Sequence, residues 1–94
     1  MDLPIVHIRN LPYDTSSTSL FELFEDYDVH SIRTKPGSCF VILKQMKNAQ
    51  AAVEKLNGIN FNGRYIICGI FNAHIDNKDL LTEDTLKLID NYQA

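Results

Sequence analysis

The stretch Val6-His7-Ile8-Arg9-Asn10-Leu11 decides how this chain folds, because core-type and solvent-type side chains alternate along it. A period of two puts Val6 and Ile8 on one face of a strand and His7 and Arg9 on the other. The same alternation returns in Gly37-Ser38-Cys39-Phe40-Val41-Ile42-Leu43. There Cys39, Val41 and Leu43 form the inward set, while Ser38, Phe40 and Ile42 point out. The slipped register, with Phe40 in the core, would expose Cys39, Val41 and Leu43 together, which a two-fold pattern penalises. Two such strands side by side make a shallow open platform.

The remaining elements fall into place around these two strands. Residues 5–11 are predicted as a strand ended by Pro12-Tyr13-Asp14, and Ser16 is a fitting N-cap for a helix over 17–27. Leu20, Leu23, Phe24 and Tyr27 give that helix a core stripe. A second strand spans Val29 to Thr34, with Val29, Ile32 and Thr34 inward, and Lys35-Pro36-Gly37 turns into the third, over 38–44. Ala49, Ala52, Val53 and Leu56 share one face of a helix over 46–57, which Asn57-Gly58 stops. Asn62-Gly63 is a tight-turn signal ahead of a fourth strand, Arg64 to Phe71. The order β-α-β-β-α-β predicts an α+β, ferredoxin-like fold: a four-stranded antiparallel sheet with two helices on one face. This domain is expected over residues 1–75. A linker and a further helix follow over 76–94, opened by Thr82-Glu83-Asp84 and packing near the sheet or a partner.

Ninety-four residues that are 45% hydrophobic suit one domain with a modest core. No apolar run is long enough to span a membrane, and Met1-Asp2-Leu3-Pro4 lacks the pattern of a secretory leader, so a cytosolic or nuclear setting is expected. Cys39 and Cys68 both point inward on strands that flank the first. They are therefore about 9–10 Å apart, too far for a disulfide, and read as small core residues. Neither has a partner at metal-ligand spacing, and no cofactor is expected. The net charge is −3, unhelpful to a nucleic-acid binder in sum. Its distribution is more favourable. Glu22, Glu25, Asp26 and Asp28 gather on the first helix and the turn after it, whereas Arg9, Arg33, Lys35 and Arg64 fall in or beside strands.

A sheet face with rings and cations is suited to stacking unpaired bases and attracting phosphate. The candidate residues are His7, Arg9, Asn10, Arg33, Ser38 and Phe40. In these features the chain resembles the RNA recognition motif (RRM) family, with departures. The third-strand motif of that family opens with a basic residue and a glycine and carries two rings; here Pro36 and Ser38 replace the basic residue and the first ring, and Phe40 keeps the second. His7 stands where the first strand usually bears a phenol or phenyl ring. Ile42 and Ile67 should also emerge on this face beside Gly69, and exposed aliphatics invite a cover. The stripe Leu81, Leu88 and Tyr92, with Leu86 and Ile89 alongside, is the candidate lid or partner clamp.

His7-Ile8-Arg9-Asn10-Leu11-Pro12-Tyr13, Asn62-Gly63-Arg64-Tyr65-Ile66-Ile67, Asn72-Ala73 and Leu86-Lys87-Leu88-Ile89-Asp90-Asn91-Tyr92 further resemble the family of fourteen-kilodalton subunits of splicing factor 3b. That resemblance implies a nuclear, non-enzymatic component of the U2 small nuclear ribonucleoprotein, set near the branch-site adenosine of an intron. The implied partners are the branch-site region of pre-mRNA or U2 RNA, and a peptide of the large splicing factor 3b subunit that covers part of the sheet through Ile42, Ile67 and the terminal stripe. The family has a tyrosine where His7 stands, a longer loop than Lys35 to Ser38, and an extension ahead of the first strand. Two rivals are weighed. RRMs of the polypyrimidine-tract-binding family can also carry Val-His-Ile-Arg, and some RRM variants grip a ligand tryptophan with helix-one acids and an arginine after the second helix. Ile59 holds that last position here. An acylphosphatase would share the fold, but Asn10 to Ser17 contains no glycine for a phosphate cradle.

Overall fold

The computed structural model describes residues 4–71. Chain order is β1 (Ile5–Arg9), α1 (Ser17–Leu23), β2 (Val29–Lys35), β3 (Ser38–Leu43), α2 (Met46–Leu56), β4 (Asn60–Phe61), β5 (Arg64–Tyr65) and β6 (Ile67–Ile70). The main sheet is antiparallel with strand order β2-β3-β1-β6, and both helices pack on one of its faces. This is the expected ferredoxin-like sandwich. The terminal helix and its Leu81, Leu88 and Tyr92 lie outside the described residues.

The core forms where the alternating strands meet the helix stripes. Val6, Ile8, Cys39, Val41, Leu43 and Cys68 from the sheet close against Leu20, Phe24, Ala49, Ala52 and Leu56 from the helices. Each buried methylene contributes roughly 0.8 kcal/mol, so this layer dominates stability. Cys39 and Cys68 both pair with Ile8, from its two sides. They are buried free thiols, and burial pushes them up to about 12 and about 11. Thr34 lies on the inward face opposite Cys39, as expected, but is exposed there because β2 is an edge strand.

Capping follows the sequence closely at the first helix. Ser16 has extended backbone angles, and its hydroxyl accepts the Ser19 N–H at 3.2 Å. The helix is shorter than predicted. It stops at Leu23 and passes into a 3-10 turn over Glu25–Tyr27, ended by Asp28 in the left-handed region at φ 58°. α2 ends at Asn57, whose side-chain oxygen accepts the Cys68 N–H at 2.9 Å and so ties the helix end to β6. Gly58 follows at φ 85°.

The predicted fourth strand is two strands. Arg64–Tyr65 turns back on Asn60–Phe61 as a separate hairpin through Asn62 (φ 51°) and Gly63 (φ 95°), and only Ile67–Ile70 joins the main sheet. A turn with both central residues at positive φ matches hairpin twist. The Asn62-Gly63 signal was correctly read as a turn, but the short strand ahead of it was not anticipated. The first strand likewise ends at Arg9, because Asn10 adopts φ 64°. Among the described residues no helix is long and apolar enough to cross a membrane.

Candidate nucleic-acid interface

Strand register fixes which side chains share the face opposite the helices. β1 contributes Ile5, His7 and Arg9. Their cross-strand partners Ile42, Phe40 and Ser38 come from β3, and Gly69 and Ile67 from β6. β2 adds Ser31, Arg33 and Lys35, opposite the same three β3 residues. Phe71 continues the β6 ladder, its N–H donating to the Ile5 carbonyl at 2.8 Å. The face is polarised along the strands. Ile5, Ile42 and Phe71 occupy one end and Arg9, Ser38 and Lys35 the other, with Arg33 in the middle row, level with His7 and Phe40. None of these positions is a carboxylate. The exposed acids Glu22, Glu25 and Asp26 are on α1 and its 3-10 turn, and Asp28 pairs with Lys44 at 3.5 Å at the opposite end of β2 from Lys35.

Two expectations about this face need correction. Phe40 was expected as an open ring and Ile42 as an exposed aliphatic, yet both are 0% exposed. Their direction was read correctly, since they point away from the helical core and neither belongs to its cluster. The apolar end of the platform is itself a buried layer, with Ile5 also at 0% and Phe71 at 9%. Phe40 is packed on three sides. His7 stacks on it with centroids 4.4 Å apart and planes 6° from parallel, Phe71 meets it edge-on at 5.0 Å, and the Lys35 ammonium stands 5.7 Å from its centroid. Ile67 is 47% exposed, as expected.

His7 is half-buried at the boundary between the two ends. Phe40 lies against it on the β3 side, and on the β6 side its neighbour is Gly69. A Cβ built on Gly69 would meet no described atom within 4 Å. The arrangement is therefore a stacked pair of rings beside a patch of bare backbone. Burial first, and then the charges of Arg9 and Lys35, lower the imidazole from its ordinary 6.5, so His7 is neutral at physiological pH.

The other candidate residues divide into two groups. Arg9 is exposed and makes no ion pair among the described residues, Arg33 is half-buried, and Ser38 sits between Arg9 and Lys35 on the ladder. Asn10 is exposed, but its amide is engaged within the chain: Nδ2 donates to the Tyr65 carbonyl at 2.9 Å, and Oδ1 accepts both Nε (3.2 Å) and Nη2 of Arg64. It latches the end of β1 to the hairpin. Lys35 and Phe71 belong to the face but were not among the candidates. Continuing the alternation of Ile67 and Gly69 by one step would have found Phe71.

Tyr13 was also passed over as a site residue. It is 84% exposed in the β1–α1 connection, the most open of the large apolar and aromatic side chains described. Its ring lies against the β2–β3 turn, where a Cβ on Gly37 would fall 2.9 Å from Cε1. The Leu11 N–H donates to the Gly37 carbonyl at 2.9 Å and holds the two loops together.

A family model described as RNA recognition motif matches residues 6–67. A splicing factor 3B subunit 6-like protein of Schizosaccharomyces pombe is 30% identical over 86 residues, covering 81% of this chain and 74% of its own. A splicing factor 3B subunit 6-like protein of Arabidopsis thaliana is 30% identical over 69 residues, and this chain spans only 56% of it. Among solved structures, the Sxl-lethal protein/RNA complex superposes with TM-score 0.71 at 19% identity, covering 82% of this chain and 52% of that one. The Nab3 RRM gives 0.70 at 22%, covering 76% and 97%. These two show the fold alone.

Proposed function

Since this chain belongs to the RNA recognition motif family, and to its splicing factor 3B subunit 6-like branch, we propose that its sheet face holds one unpaired adenosine of the intron branch-site region. Its relatives and its family support an RNA-binding role in splicing, in the nucleus. The observation that supports the adenosine site is the half-buried His7 ring, backed by Phe40 and flanked by bare backbone at Gly69, where the apolar and cationic ends of the platform meet.

Each residue has a physical task in this reading. An adenine slides over Gly69 and stacks on the imidazole, an interaction worth roughly 1–3 kcal/mol per base. Phe40 is closed to the base and acts by holding the His7 ring upright. Arg9 and Arg33 attract the adjoining phosphates, and Ser38 offers a hydroxyl between Arg9 and Lys35. Asn10 contributes through the latch that fixes the end of β1 beside them. A neutral imidazole suits stacking, since a third positive charge near Arg9 and Lys35 would be repelled. With one base site and few cations, the affinity of the free chain is low and a protein partner supplements it. That partner is proposed to be a peptide of the large splicing factor 3b subunit, which with Leu81, Leu88 and Tyr92 reaches Ile42 and Ile67 on the sheet. The terminal segment over 76–94 is proposed as its clamp. The proposed residence is the nucleus, on pre-mRNA and U2 RNA.

The test is a titration of the labelled chain with a short branch-site duplex carrying a bulged adenosine, beside a uridine-rich strand, followed by amide shifts. Shifts at His7, Arg9 and Gly69 with preference for the bulged adenosine are expected. Preference for uridine would favour the polypyrimidine-type reading, and shifts confined to α1 would reject the site. The partner is tested separately by asking whether the large splicing factor 3b subunit is retained from nuclear extract.

A further inference from the structure

We propose that Tyr13 is a second base-stacking position, which takes the nucleotide next to the one at His7 as the RNA strand leaves the sheet. The inference rests on the sheet face being an RNA surface and extends it to a loop that the sequence did not single out.

Three observations converge on this residue. The phenol ring is 84% exposed, the most open large side chain among the described apolar and aromatic residues, so both its faces are accessible to a base. One edge of the ring nevertheless lies against the chain. Its Cδ1–Cε1 side rests on Gly37, which has φ 77° and leaves no room for a side chain, and the Leu11–Gly37 hydrogen bond locks the two loops in register. A ring that already leans on the chain along one edge and leaves its faces open loses less rotamer freedom when a base stacks on it. Its position is the third observation. Gly37 directly precedes Ser38, so Tyr13 stands at the end of the platform that carries Arg9 and Lys35. From Gly37 to Phe40 is three residues, about 10 Å along β3. A strand whose base lies at His7 and whose phosphates follow the cations therefore runs toward Tyr13.

Single-stranded RNA is favoured over a peptide as the occupant because the platform residues beside Tyr13 are cations and none is a carboxylate. Asp14 is the nearest acid in sequence, and Asp14→Asn is expected to strengthen binding modestly.

The experiment measures binding of a short adenosine- and uridine-containing single strand to the full chain and to three variants, with thermal unfolding of each. Tyr13→Leu keeps bulk against Gly37 but removes the π-face, and is expected to weaken binding by about 5- to 150-fold with melting little changed. Tyr13→Phe should bind as the parent does, since stacking needs the ring and not the hydroxyl. His7→Ala is the reference for the sheet site. Loss of binding in His7→Ala with full affinity in Tyr13→Leu would overturn the Tyr13 assignment and leave the sheet site standing. Absence of binding by the parent chain would overturn both.

Discussion

His7 carries more of the functional argument than any other residue, and its titration is a direct probe of its surroundings. Burial, and then Arg9 and Lys35, lower its pKa below 6.5. A group with a lowered folded pKa binds fewer protons folded than unfolded, so its stabilising share is complete above pH 6.5 and fades as pH falls from there through the folded value. The imidazole signals followed by NMR should titrate below 6.5, and Arg9→Gln should move that midpoint upward by removing one repelling charge. An unmoved midpoint would leave burial and Lys35 as the causes. Gly69 is the complementary test. A Cβ added to its bare backbone beside His7 meets no other described residue within 4 Å, so Gly69→Val should leave the chain folded and block the base. An affinity loss of tenfold or more with melting within a few degrees of the parent is the expected result. Unchanged affinity would mean that no base enters there.

At the scale of single elements, the seams between helix and sheet rest on a few side chains. Asn57 joins α2 to β6 through the Cys68 N–H, and Asn57→Ala should cost about 1 kcal/mol in chemical unfolding. The buried thiols of Cys39 on β3 and Cys68 on β6, pushed to about 12 and about 11, should resist a thiol reagent at pH 8 until the chain is unfolded. What the sequence disclosed, and what it hid, also separates by element. β1, β3 and α2 were legible because each repeats one period without interruption, and the Ser16 cap was legible because its chemistry is local. The split of the fourth strand was not. Arg64 to Phe71 alternates well enough for one strand, and only the pairing of Asn60–Phe61 with Arg64–Tyr65 shows the hairpin. The direction of Phe40 could be read, but its burial could not. Alternation tells which face a ring leaves, whereas enclosure depends on His7, Phe71 and Lys35 arriving from three other segments.

The whole molecule is an acidic body with a cationic edge. Net charge is −3, while Arg9, Lys35 and, one row further in, Arg33 lie toward one end of a face whose described positions include no carboxylate. If all three meet phosphate, log affinity for single-stranded RNA should fall with log salt at a slope near −2, about −0.7 for each contact. Arg9→Gln should make that slope shallower by about 0.7. A slope near zero would mean that phosphates do not touch this edge. The separation of sign has a kinetic result as well. A polyanion approaching the helical side is turned away by Glu22, Glu25 and Asp26, and one approaching the β2–β3 end is drawn in. The molecule therefore sorts encounters by orientation before any contact forms, and a protein too acidic to hold nucleic acid indiscriminately still meets it the right way round.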